Sequence, residues 1–94
     1  MPNQSHLQVF VLSCIKKGPQ LGEEIRASME KVGTKLSLAS FYQLMRRIEQ
    51  AKYVKGKYIA QTIDGHGKRK RGYSITAAGK KALEQTLSFY RQLN

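Results

Sequence analysis

With 94 residues the chain is expected to form one small domain with a thin core, so pairing with a second copy is a natural way to gain burial. Its 17 Lys and Arg against 6 Asp and Glu give a formal charge of +11, which suits a polyanionic partner, nucleic acid first among them. An apolar share of 40% excludes a disordered composition, and one cysteine, Cys14, excludes an internal disulfide.

The first eighteen residues, MPNQSHLQVFVLSCIKKG, carry no basic stretch ahead of the apolar ones and no small-residue cleavage site. The apolar run is too short to span a bilayer and is broken by Ser13. A soluble cytoplasmic protein, associated with the nucleoid and not with a membrane, is expected. Residues 4–17 read as a first helix in which Leu7, Val9, Phe10, Val11, Leu12, Cys14 and Ile15 are apolar nearly all round. Such a helix is covered on more than one side. Gly18-Pro19 stops it.

Residues 21–32 read as a second helix, with Leu21, Ile25, Met29 and Val32 at helical steps and Gly33-Thr34 as the turn. The third helix, 37–50, is the centre of the reading. Ser37 is a good N-cap, because its hydroxyl can accept from a first-turn amide. Leu38, Phe41, Leu44, Met45 and Ile48 make an apolar stripe. The opposite side carries Ala39, Gln43, Arg46 and Gln50, flanked by Ser40, Tyr42 and Arg47. Gln and Arg can form paired hydrogen bonds to base edges in a major groove, and small residues permit close approach. Any solvated helix face can look like this, so the helix alone does not decide.

After Gln50 the period changes. Val54 to Ile63 alternates loosely as a strand, Asp64-Gly65-His66-Gly67 reads as a turn, and Gly72-Tyr73-Ser74-Ile75 returns as its partner, giving a hairpin over 54–75. Thr76 caps a last helix, 76–93. The order is that of a mainly α, winged helix-turn-helix domain with a two-stranded antiparallel hairpin as its wing, the first and last helices serving for dimerisation. Lys68, Arg69, Lys70 and Arg71 are four cations in a row, placed on the hairpin tip. Cations cannot enter a core without partners, so they are expected to project into solvent or onto something negative, and a tip of this size can reach phosphates. Lys16, Lys17, Lys52, Lys55 and Lys57 add scattered charge.

The stretch Leu36-Ser37-Leu38-Ala39-Ser40-Phe41-Tyr42, followed by Leu44, Met45, Arg47, Ile48, Glu49 and Val54, resembles the PadR-like transcriptional regulators. Gly67 to Gly79 is similar to that family's wing, strand and capped last helix, and Gly22-Glu23-Glu24-Ile25 to its second-helix start. The resemblance implies a dimeric DNA-binding repressor or activator. It places Tyr42 and Arg47 near phosphates or bases, makes Arg69 and Lys70 wing contacts, and gives dimerisation to the first and last helices. Some positions depart from the pattern. Glu23 stands where Tyr is frequent, and Gly72 replaces a common aromatic. Lys52 stands where Gly is common, and a left-handed Lys would cost about 1 kcal/mol, so the third helix is expected to end another way.

His6, His66 and Cys14 have no partners at metal-ligand spacing, and no phosphate loop or nucleophile-base set is present. No enzyme, metal or cofactor is expected. A small-molecule effector is not indicated, although an apolar ligand between subunits stays open. The expected function is that of a sequence-specific regulator, a repressor in the first instance, bound as a dimer to double-stranded DNA. Ser37, Ala39, Ser40, Tyr42, Gln43, Arg46 and Arg47 are its groove residues, and Lys68, Arg69, Lys70 and Arg71 its wing. The alternatives are a winged-helix module that docks an acidic protein, and a non-specific architectural DNA binder.

Overall fold

The computed structural model describes the backbone of residues 4–63 and 66–93 and the side chains of residues 6–59 and 70–93. The elements in order are α1 (Gln4–Ile15), β1 (Gln20–Leu21), α2 (Gly22–Lys31), α3 (Leu38–Gln50), β2 (Val54–Ile63), β3 (His66–Ile75) and α4 (Ala77–Gln92). The sheet has three antiparallel strands in the order β1-β3-β2, one more than the expected two. The added strand follows from Pro19, which ends α1 and sets an extended course. Gln20 then pairs with Tyr73 and Leu21 with Gly72. Leu21 is therefore extended (φ −72°, ψ 150°) and not helical. The Glu24 carboxylate accepts its N–H at 2.8 Å, which opens α2.

The core gathers one stripe from each helix. Val11, Leu12 and Ile15 of α1, Ile25 and Met29 of α2, Phe41, Leu44, Met45 and Ile48 of α3, and Leu83 of α4 meet Val54 and Tyr73 from the sheet. Four of the five residues in the expected α3 stripe are buried. Leu38 is the exception at 53% exposed, because it occupies the first helical position, beyond the reach of the core. Leu7, Val9 and Phe10 are half-buried against the same cluster. On α4, Leu87 packs inward, while Phe89 and Leu93 are 58% and 66% exposed.

The end of α3 ties this helix to the rest of the chain. Tyr53 N–H donates to Ile48 O at 3.2 Å and Lys52 N–H to Glu49 O at 2.9 Å, the paired bonds of a Schellman motif. That motif needs a left-handed residue, and Lys52 takes it at φ +65°. The expectation that α3 ends without a positive φ is therefore corrected. α2 ends in the same manner, with Gly33 at φ +84°.

The strained turn is held from outside. Thr76 Oγ1 donates to Lys52 O at 2.7 Å and accepts from Gly79 N–H at 3.0 Å, so one hydroxyl caps α4 and fastens the α3 terminus. Thr76 N–H donates to Tyr53 O at 3.0 Å. Gly79 lies against that same carbonyl, and a Cβ there would collide with it.

Two substitutions test this junction. Lys52→Gly should stabilise the fold by about 1 kcal/mol by relieving the left-handed side chain. Gly79→Ala should cost roughly 1–3 kcal/mol, because a backbone carbonyl cannot rotate aside. Urea unfolding midpoints measure both, and equal midpoints for Lys52→Gly and the parent chain would contradict the assignment of strain.

Candidate nucleic-acid interface

Burial of Phe41, Leu44, Met45 and Ile48 fixes the rotation of α3 about its axis and leaves the opposite side in water. Ala39, Ser40, Tyr42, Gln43, Arg46, Arg47 and Gln50 are all exposed. Ser37 caps the helix, accepting from Ser40 N–H at 3.1 Å and donating to the Ser40 hydroxyl at 3.0 Å. Tyr42 stands edge-on to buried Phe41, with ring centroids 5.4 Å apart, so its hydroxyl end is carried outward on an anchored ring.

The polar side divides. Ser40, Gln43 and Arg47 border a shallow depression beside Leu7 and Leu36. Tyr42 and Arg46 border a deeper open cleft between α3, the start of α2 and the wing, where Glu23, Glu49, Tyr58, Lys70 and Arg71 also lie. Arg46 and the described wing cations thus share one cleft, and Gln43 faces the other side of the same exposed surface.

The wing differs from the sequence expectation in register. β2 and β3 stay paired from Val54↔Ile75 to Ile63↔His66, so His66 and Gly67 belong to a strand and not to a turn. The four cations Lys68–Arg71 consequently lie within β3, opposite Gln61, Ala60, Ile59 and Tyr58, and are not on the hairpin tip. The side chains of Lys68 and Arg69 fall outside the described residues.

Lys70 and Arg71 both line the cleft but engage different acids. Lys70 Nζ pairs with Glu23 Oε1 at 2.7 Å, and Arg71 pairs with Glu49 Oε1 at 2.5 Å. Among the described residues these are the ion pairs, and both return a wing cation to an acid of its own chain. Lys70 and Arg71 thus meet something negative, as expected, but within their own chain.

The Arg71–Glu49 pair is the more enclosed of the two, because its acid is the less exposed. Its guanidinium lies 4.9 Å from the ring centre of Tyr58 and 5.7 Å from that of Tyr73, at distances where a ring face attracts a cation. Gly56 makes room for the pair, since a Cβ there would collide with Glu49 Oε1 and Arg71. Burial draws the Arg71 pKa down, but the hydrogen bond and charge of Glu49 outweigh it, so the guanidinium ends above its ordinary value. Burial raises the Tyr73 phenol, and the nearby Arg71 partly opposes it. Burial also raises the Cys14 thiol.

Glu49, Tyr58 and Tyr73 were not singled out by sequence as members of this site, whereas the departure at Glu23 already put an acid near the expected DNA side. The available signal was the Arg47-Ile48-Glu49 triplet combined with a correct strand register. That register sets Tyr58 opposite Arg71.

A winged helix-turn-helix with an exposed Gln/Arg helix face beside a cationic hairpin defines the class of protein. The sequence profile described as "Transcriptional regulator PadR-like family" matches residues 11–85, and the chain belongs to that family, whose members are regulators and not enzymes. No curated protein matches it by sequence. Among solved structures it is similar to a PadR-like transcription factor from Bacteroides fragilis at 16% identity and TM-score 0.85, over 97% of this chain and 85% of that one. A putative transcriptional regulator from Thermoplasma acidophilum aligns at 26% identity and TM-score 0.75, over 96% and 87%. The Bacillus subtilis PadR in complex with operator DNA aligns at 19% identity and TM-score 0.72, over 86% of this chain but 46% of that one. Among the described residues no helix is long and apolar enough to cross a membrane.

Two measurements test the cluster. Arg71→Gln should cost roughly 1–2 kcal/mol, a charged hydrogen bond discounted for its partial exposure, and should speed amide exchange along β2 and β3. Because the fold favours neutral Tyr73, the stability it contributes is intact below the ordinary phenol value of 10.0. It should fall as pH rises through that value and the raised folded one. Tyr73→Phe should flatten this alkaline loss in pH-dependent urea melts.

Proposed function

We propose that the protein is a sequence-specific DNA-binding transcriptional regulator, a repressor, that acts as a homodimer with α3 in the major groove and the wing alongside. The observation that carries the reading is the exposed side of α3. Its rotation is fixed by four buried residues, and it presents Gln43, Arg46 and Arg47 with small Ala39 and Ser40 between them. Arg46 and Gln43 are the base readers. Ser37, Tyr42 and Arg47 hold the backbone, and Lys68 and Arg69 supply charge from the wing. The surplus of 17 basic over 6 acidic residues supports a phosphate-rich partner. The B. subtilis PadR structure holds operator DNA, which supports the same use of this fold.

Dimerisation through α1 and α4 is supported by half-buried Val9 and Phe10 and by exposed Phe89 and Leu93. Two copies would then meet inverted half-sites about one helical turn apart, near 34 Å. Cytoplasmic residence on the nucleoid follows from this function.

Selection of bound fragments from random DNA, with mass measured in solution, tests the reading. A palindromic motif bound by a dimer is expected. Arg46→Ala should lose about 1–3 kcal/mol of discrimination at one base position, whereas Arg69→Ala should weaken operator and random duplex alike. Equal losses on both duplexes for Arg46→Ala would remove its base-reading role. Binding without sequence preference would favour an architectural binder, and no duplex binding at tens of micromolar protein would favour a protein-docking module.

A further inference from the structure

The cleft shared by α2, α3 and the wing contains a carboxylate where a phosphate-facing surface would be expected to hold none. Glu23 stands in the first turn of α2 with its side chain 61% exposed, and Lys70, 27% exposed, donates to its Oε1 at 2.7 Å. Tyr42 and Arg46 border the same cleft, so this acid sits beside a residue assigned to base reading. A helix start with free amides ordinarily attracts an anion. Here Glu23 and Glu24 already place two negative charges in that turn, and Glu24 accepts the Leu21 N–H from within the chain. A phosphate approaching α2 meets carboxylates, and the nearest wing lysine is engaged with one of them.

Resting on the DNA-binding reading, we propose that Glu23 is a positioning residue, which restrains Lys70 and repels phosphate and so lowers the affinity for duplex of every sequence. The penalty falls on duplex of every sequence. The operator-to-random ratio is unchanged, but both affinities fall, so random duplex, which lacks contacts from Gln43 and Arg46, is released first. An exposed ion pair is weak, so the restraint is graded and changes affinity by a modest factor. Each phosphate neutralised steepens the dependence of log affinity on log salt by about 0.9, so the state of Lys70 can be read from a slope.

The test uses the full chain with random duplex across a salt series and with immobilised heparin, a polyanion that carries no base sequence. Glu23→Gln should tighten random-duplex binding by about 3–10-fold, steepen the salt slope by about one and delay elution from heparin. Glu23→Asp should restore the parent behaviour, which a purely structural role at an exposed position would not require. Lys70→Gln alone should leave the parent slope unchanged, yet cancel the added slope when combined with Glu23→Gln. A slope that falls by about one on Lys70→Gln in the otherwise unaltered chain would overturn the proposal, because Lys70 would already be on a phosphate. Operator selection by the parent chain, with random-duplex affinity unaltered in Glu23→Gln, would overturn this inference alone. Delayed heparin elution of Glu23→Gln, with no duplex bound by the parent chain, would support the restraint and overturn the DNA reading alone.

Discussion

The pairing of Glu49 with Arg71 ties the helix that carries the polar surface to the strand that flanks it. α3 and β3 are far apart in sequence and meet at the cleft through these two side chains, with Tyr58 and Tyr73 against the guanidinium and Gly56 leaving the space. A charged contact suits this position. An apolar contact of the same size could slide, whereas a guanidinium held by a carboxylate and two ring faces has one favourable placement. The ion pair thus adds a directional tie between helix and wing to the apolar packing of α3 against Val54 and Tyr73 in the shared core.

The described wing cations are consequently not free. Near its base its cations are consumed by acids of the same chain, Arg71 by Glu49 and Lys70 by Glu23. A basic run in a strand is not a uniform patch, because each cation can be taken up by a different acid. Net charge overstates the cations free to meet a polyanion, and the distribution of the 6 acids matters more than their number suggests.

Much of this was legible from residue types. Ser37 and Thr76 announced the starts of α3 and α4 by hydroxyl chemistry, and the steps of Phe41, Leu44, Met45 and Ile48 announced the buried side of α3. The exposed residues of α3 followed by subtraction. The wing register was not legible, because glycines at 65 and 67 both suit a turn and only the pairing of Ile63 with His66 separates the choices. With the register misplaced, the acids of α2 and α3 could not be matched to Lys70 and Arg71. Leu38 was misread because periodicity does not say where a core stops, and Lys52 because tertiary support from Thr76 offsets a local penalty.

That support has a mechanical consequence. The last carbonyls behind α3 serve as the seat for the first turn of α4, through Thr76 and the close approach of Gly79 to Tyr53 O. No slack segment separates the two helices at that seat. A torque applied anywhere along α4 reaches the exposed side of α3 as a rigid lever would deliver it, so the C-terminal helix is a handle on the orientation of Gln43 and Arg46.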